Sequence, residues 1–186
     1  MIQIIKQKKI NYQQPLKKIP ETDEKINHQV IQIKRVSKVV KGGKNLSFRA
    51  VVVVGNINNN KGLVGIGLGK ADDVTNAINK AIFKAKKNLI IIPITKTDTI
   101  THSVKAIYGA SDILIKPSPP GSGVIAGSSI RTVLEMAGIR NVLAKQIGSN
   151  NLLNNARATI KALKQLKTIT QVAKERDKDL DFLYQN

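Results

Sequence analysis

Two histidines, one pair of adjacent aspartates and two glycine-rich stretches are the residues of this sequence with the types and spacing to do chemistry. His28 and His102 stand alone, and the chain has no cysteine. Disulfides, cysteine nucleophiles and zinc–thiolate sites are therefore excluded. Nothing in the order of residues suggests a Ser/His/Asp set. Asp72-Asp73 reads more simply as the start of a helix than as an acid/base pair. The glycine stretches offer phosphate cradling instead. Gly65-Ile-Gly67-Leu-Gly69-Lys70 precedes a helix, yet it fails the phosphate-loop pattern: Val64 stands where the first glycine belongs and Ala71 where Ser or Thr belongs. It also fails the dinucleotide pattern, because Lys70 replaces the third glycine. The plainer reading is a glycine-lightened strand running into a helix.

The second stretch, Pro120-Gly-Ser-Gly-Val-Ile-Ala-Gly-Ser-Ser129, leads into another helix. Free backbone N–H groups there, with Ser128 or Ser129 as cap, would make an anion-binding end. It resembles the ATP loop of small-molecule kinases of the galactokinase and homoserine-kinase superfamily, with extra residues between Gly123 and Ser128. Such kinases need far more chain for a substrate lobe. A phosphate of RNA, or plain loop geometry, is preferred to ATP.

Charge is the larger signal. The 186 residues carry 31 Lys+Arg against 12 Asp+Glu, a formal net charge of +19. Such a surplus repels itself in a compact state and calls for an outside partner. Residues 1–50 hold twelve basic and three acidic side chains, nearly half of the excess. This footprint points first to nucleic acid and second to an anionic membrane surface. Six aromatic residues in the whole chain argue against a stacking platform for single strands. The expected target is a folded, phosphate-dense nucleic acid. The densest apolar patch, Ile90-Ile91-Ile92, is interrupted by Pro93 and falls far short of a membrane span of about 20 residues. No secretory leader is read at the N-terminus, so a soluble protein is expected.

The elements that must position these groups follow from periodicity. Residues 1–25, broken by Pro15 and Pro20, read as a basic extended arm. Ile26 to Lys41 and Leu46 to Gly55 read as strands around a Gly42-Gly43 reversal. On the second strand Phe48, Ala50, Val52 and Val54 share a face. Asn56 to Gly62 reads as a loop and Leu63 to Leu68 as a third strand. Asp72 to Lys87 is a helix whose Val74, Ala77, Ile78, Ala81, Ile82 and Ala85 form one stripe, with Asn88 to end it. Leu89 to Thr95, Thr99 to Tyr108, Ser111 to Pro117 and Val142 to Ile147 read as strands. Ser128 to Ala137 and Asn151 to Leu166 read as helices. The last of these turns Leu152, Ala156, Ile160 and Leu163 inward, beside a basic stripe of Arg157, Lys161 and Lys164. The division falls into residues 1–25, 26–92, 93–166 and a charged helical tail, 167–186. The hairpin carries Lys34, Arg35, Lys38, Lys41, Lys44 and Arg49 with no acid between them. A solvated face is the bland account. The hairpin setting, and glycines that admit a phosphate close to the backbone, favour a binding role.

Arg35-Val-Ser-Lys-Val-Val-Lys-Gly-Gly-Lys44, Ser47-Phe48, Val53-Val54-Gly55 and Val64-Gly-x-Gly-x-Gly-Lys-Ala71 resemble the first domain of the small ribosomal subunit protein five family. Pro117 to Arg131, Val142-Leu-Ala-Lys145, Gly148-Ser-x-Asn151 and Arg157-Ala-Thr159 resemble its second domain. The match runs from Ile26 to Leu166 in the family's order. It implies an α+β protein of two domains. The first is a double-stranded-RNA-binding-like βββα domain; the second is a β-α-β-α domain with a fold shared with the kinases above. It further implies a non-enzymatic constituent of the small subunit, without cofactor or small-molecule substrate. The implied partners are small-subunit (16S-type) rRNA and ribosomal proteins four and eight. In the family the first hairpin reaches the subunit neck near the spectinomycin region, which carries onto Val36 to Lys44. The RNA-facing residues are therefore read as Lys34, Arg35, Ser37, Lys38, Lys41, Gly42, Gly43, Lys44, Arg49 and Lys70. The loop and helix at the interface with protein four, which affect decoding accuracy, carry onto Gly121, Gly123 and Arg131. Double-stranded-RNA-binding helices begin with lysines. Here only Lys70 precedes Asp72 and Asp73, so the hairpin is preferred as the RNA-facing edge. Nothing carries over onto the Asn56 to Lys61 loop or the first 25 residues. A free double-stranded-RNA-binding regulator and a kinase-like ATP binder are the alternatives. Lys outnumbers Arg 25 to 6, which suggests AT-rich coding, in a plastid stroma or a low-GC bacterial cytoplasm.

Overall fold

A computed structural model describes residues 26–58 and 61–177. The basic arm of residues 1–25 and the end of the charged tail, residues 178–186, lie outside the described residues. Strands β1 (Asn27–Val40), β2 (Gly43–Asn58), β3 (Lys61–Ala71) and β4 (Ile90–Pro93) form one antiparallel sheet in that order. Helix α1 (Val74–Lys87) joins β3 to β4. The second sheet has the order β5 (Val104–Tyr108), β6 (Ser111–Pro117), β8 (Val142–Gln146), β7 (Val124–Ile125). Helices α2 (Ser128–Met136) and α3 (Leu152–Lys164) pack against it, and a short α4 (Ile169–Glu175) follows. The sequence reading of three strands thus gains a fourth, β4, which pairs with Lys61 to Val64.

The glycines of β3 explain how α1 lies on the sheet. Gly65, Gly67 and Gly69 stand opposite Val54, Val52 and Ala50 on one face. A methyl group on any of them would overlap the carbonyl of Ala85, Ala81 or Ala77 respectively. Those three alanines are fully buried. A strand repeats a face every two residues, about 6.8 Å, and a helix every four, about 6.0 Å. Small residues at these two periods let backbone meet backbone. The glycine motif is thus a packing surface, as the plainer reading held.

The opposite face of this sheet is covered too. Val51, Val52, Val53 and Val54 are all essentially inaccessible, so β2 does not alternate between core and solvent. Val53 and Val64 join Ile130, Val133 and Leu134 of α2 and Ala156 and Leu163 of α3 in one continuous core with Ile113, Ile115 and Val142 of the second sheet. The molecule is therefore four layers deep: α1, first sheet, α2 with α3, second sheet. A strand covered on both faces reads as an unbroken apolar run. Each buried valine contributes about 1.5–3 kcal/mol.

Several boundaries differ from the sequence reading for local reasons. Asn56 to Gly62 is not all loop: the ladder continues through Ile57↔Gly62 and Asn58↔Lys61. Residues 99–103 are not strand. Thr95 Oγ1 donates to the Thr99 carbonyl and accepts from its N–H, and Asp98 takes φ 54°, so a threonine-closed turn replaces the ladder. On α3 the buried residues are Leu153, Asn155, Ala156, Ala158, Thr159, Ala162 and Leu163, whereas Leu152 and Ile160 are half-buried. A helix between two sheets is buried over a wider arc than a one-sided stripe predicts. Asn151 caps it, accepting from the N–H groups of Leu153 and Asn154.

Candidate nucleic-acid interface

The basic residues of β1 and β2 lie on a projecting ribbon (Lys38, Lys44) and at its base (Lys34, Arg35, Arg49). The β1–β2 ladder runs to Val40↔Gly43, but β3 ends at Phe48↔Ala71. The pairs from Val36↔Ser47 to the tip therefore have no third strand. Five residues per strand at about 3.4 Å each carry the ribbon roughly 17 Å beyond the sheet. The turn residues are Lys41 and Gly42, one earlier than the Gly42-Gly43 reading, with Gly43 already opening β2. Gly42 alone takes a left-handed conformation, φ 95°, the pattern of a type II turn. Among the described residues nothing lies near either glycine's would-be side chain.

Register sorts the charges by face. Lys34 pairs with Arg49, and Arg49 with Lys70, so three cations cross three strands in one row. Lys38 shares their face, opposite Asn45. Arg35 (opposite Phe48), Ser37 (opposite Leu46) and Lys44 (opposite Val39) share the other. The ribbon thus presents cations on both faces. Like charges directly opposite destabilise a sheet. None of these cations forms an ion pair among the described residues; every such pair falls in residues 98–175. Arg49 Nε is buried without a hydrogen-bond partner. A buried donor left unmade costs about 1–3 kcal/mol, more when charged, so this row carries an unsatisfied donor as well as unpaired charge. At the base, Ser47 Oγ donates to Asp72 Oδ1 at 3.3 Å, tying the ribbon to the turn before α1. Asp73 is the N-cap of α1 without a cap bond of its own side chain; its Oδ2 accepts from Asn76 Nδ2. Among the described residues neither aspartate pairs with a base.

Two ribbon residues escaped the sequence reading. Val39 and Leu46 are 73% and 53% exposed near the tip. Apolar alternation read as core presumes a covering layer, and only the missing third strand shows that there is none.

The second candidate set lies around the first turn of α2. Gly121 and Gly123 take φ 87° and 72° with open space around them, so conformation and not crowding demands glycine. Gly121 N–H donates to Asn141 Oδ1, and the Gly123 carbonyl accepts from Val142 N–H. Asn141 in turn donates to the Thr97 carbonyl, so the loop is tied to the body. The cap of α2 is Gly127, not Ser128 or Ser129: Ser129 is buried and no side chain closes the helix start. Arg131 is exposed and holds Glu135 at 2.7 Å, one turn on. The two candidate sets are thus on different sheets, one charged and unpaired, the other tied and paired. Neither histidine joins a site. His28 is exposed on β1, and His102 Nε2 accepts from the Lys167 N–H. Among the described residues no three His, Cys, Asp or Glu come together, and no helix is long and apolar enough to cross a membrane.

The described residues form a two-domain α+β body that carries a basic ribbon. Comparison with known proteins makes this specific. Ribosomal protein S5, N-terminal domain, matches residues 26–93, and Ribosomal protein S5, C-terminal domain, matches residues 106–176. The small ribosomal subunit protein uS5c of Porphyra purpurea is 52% identical over 90% of this chain and 94% of its own length. Its uS5 counterpart in Crocosphaera subtropica is 56% identical over 87% of this chain and 92% of its own. The uS5c of Rhodomonas salina is 55% identical over 86% and 93%. The chain belongs to the ribosomal protein S5 family, a family of structural, non-enzymatic components of the small ribosomal subunit.

Proposed function

We propose that this protein binds small-subunit (16S-type) rRNA through the β1–β2 ribbon and steadies the subunit through its second half. The hairpin of residues 26–92 serves the RNA, and residues 93–166 are turned in part toward the protein neighbours, ribosomal proteins four and eight. The observation that carries this reading is the row Lys34–Arg49–Lys70 at the base of the projecting ribbon, where neither these cations nor those of the ribbon form an ion pair among the described residues. Phosphates converging on both faces of the ribbon supply the missing charge. Helices that would otherwise repel then pack. The membership of the chain in the ribosomal protein S5 family supports the same partner.

The Gly121–Gly123 loop and Arg131 form the contact with protein four. That contact holds one subunit conformation, and weakening it shifts the population toward the closed decoding state. The ribosome concerned is that of a plastid stroma. The uS5c relatives and the excess of Lys over Arg support this, while the similarity to cyanobacterial uS5 keeps a bacterial cytoplasm as the competing assignment. A crosslinking map of the protein on assembled small subunits tests the core of the reading: ribbon lysines crosslink to rRNA. Crosslinks from the ribbon to protein only would overturn it. Substituting Gly123 by Val raises misreading in a translating reporter; an unchanged error rate removes the accuracy role.

A further inference from the structure

Four cations that no part of the ribbon account uses converge between the two halves of the molecule. Beyond Val64, β4 no longer covers β3, so Ile66 to Leu68 lie on a free sheet edge. Along that edge runs a cleft of about 580 Å³, within the size range of ligand sites. From one side α1 contributes Lys84, Lys87 and the capping Asn88; from the other α3 contributes Arg157 and Lys164. No acid lines it. Helix C-termini attract cations, which offers a purely local reason for these residues. It is insufficient in magnitude. Two helix ends carry about half a negative charge each, against four unit positive charges, leaving a surplus of about three. The end of α1 is also already served: the Asn88 backbone N–H donates to the Ala85 carbonyl and its side-chain amide to the Lys84 carbonyl.

The cations are held at differing readiness. Arg157 donates through Nη1 to Tyr108 Oη at 3.0 Å and lies over that ring, so its planar fork is fixed before any ligand arrives. Lys87 Nζ sits 4.3 Å from the Phe83 ring centre. Lys84 and Lys164 are exposed and form no ion pair among the described residues. A fixed guanidinium flanked by mobile ammonium groups suits a phosphodiester: Arg for two-oxygen contact, Lys as point charges.

We infer that this interdomain cleft is a second phosphate-binding site, taking the backbone of an RNA strand separate from the one at the ribbon. The inference rests on the rRNA-binding reading above. Gripping RNA from the ribbon and from the cleft would also fix the angle of the protein on its target, which one projecting ribbon cannot.

The test compares the full-length chain with a Lys84→Gln/Lys164→Gln variant and a Lys38→Gln/Lys44→Gln variant. Each is titrated against a full-length small-subunit rRNA transcript over a range of salt. Neutralising two phosphate contacts lowers the log–log salt slope by about 1.4–1.8. The cleft variant shows that loss with an unchanged melting temperature, and its hydroxyl-radical footprint disappears at nucleotides other than those lost by the ribbon variant. A cleft variant with the parent slope beside a ribbon variant with a reduced one overturns the second site and leaves the proposed function standing. Crosslinking of Lys164 to a neighbouring protein's carboxylate instead of RNA overturns it as well. Absence of rRNA binding by the parent chain removes both readings together.

Discussion

Along the β1–β2 hairpin, on the ribbon and at its base, Lys34, Arg35, Lys38 and Lys44 stand exposed with no acid opposite, whereas beyond residue 93 Lys105, Arg131, Arg140 and Lys167 each close on a carboxylate. The same residue types therefore do different work in the two regions. Pairs such as Lys105–Asp112 at 2.9 Å settle their charge locally. Their contribution to stability is small, because both partners reach water. The ribbon leaves its charge unsettled and carries no third strand to stabilise it, a combination disfavoured in isolation. In the proposed function the unpaired cations of the hairpin meet phosphate, whereas the paired ones settle their charge on the surface they sit on. Net charge alone does not separate the two.

The largest expected effect attacks the unpaired side. Changing Lys34, Lys38, Lys41 and Lys44 together to Gln should lower the salt slope of rRNA binding by about 3, while the melting temperature holds or rises slightly. A collapse in stability instead would mean that the ribbon charges serve the fold. Next comes a change to the packed body with no charge involved. Gly67→Ala places a methyl on the Ala81 carbonyl, and α1 must shift. Denaturant titration should show a loss of about 1–3 kcal/mol, as in other overpacked cores. Gly123→Ala forces a left-handed alanine into open space and should cost roughly 1–2 kcal/mol by the same measurement. Smallest of all, Arg131→Gln breaks an exposed pair one helical turn long and should change stability by about 0.3–0.5 kcal/mol at most. A measurable loss of subunit incorporation from so mild a change would give Arg131 a partner beyond Glu135.

The sequence made some of this legible and hid the rest for identifiable reasons. The α1 stripe, the Ser111–Pro117 strand and the uninterrupted basic run between Lys34 and Arg49 were readable because each is local. The row Lys34–Arg49–Lys70 was not, since it exists only once two strand registers are fixed, one of them shifted between Val30 and Gln32. The cleft was hidden for a similar reason: Lys84 and Arg157 lie on helices far apart in the chain. Val51 to Val54 looked like an alternating strand with a surplus of valines. The second covering layer, which packs on Val53, comes from α2 and α3, far outside a local window's view.

The contact between α1 and β3 works like a vernier scale. Its two rulings, the alanines at 77, 81 and 85 and the glycines at 69, 67 and 65, differ by about 0.8 Å per division. Over the two divisions between these three marks the drift is about 1.6 Å, within what small residues absorb. The number of matched marks therefore limits how long the close contact between helix and strand runs. It also sets a rule for sequence drift: along this seam a larger residue on one ruling is tolerated only if the other ruling moves, so the two must change together or not at all.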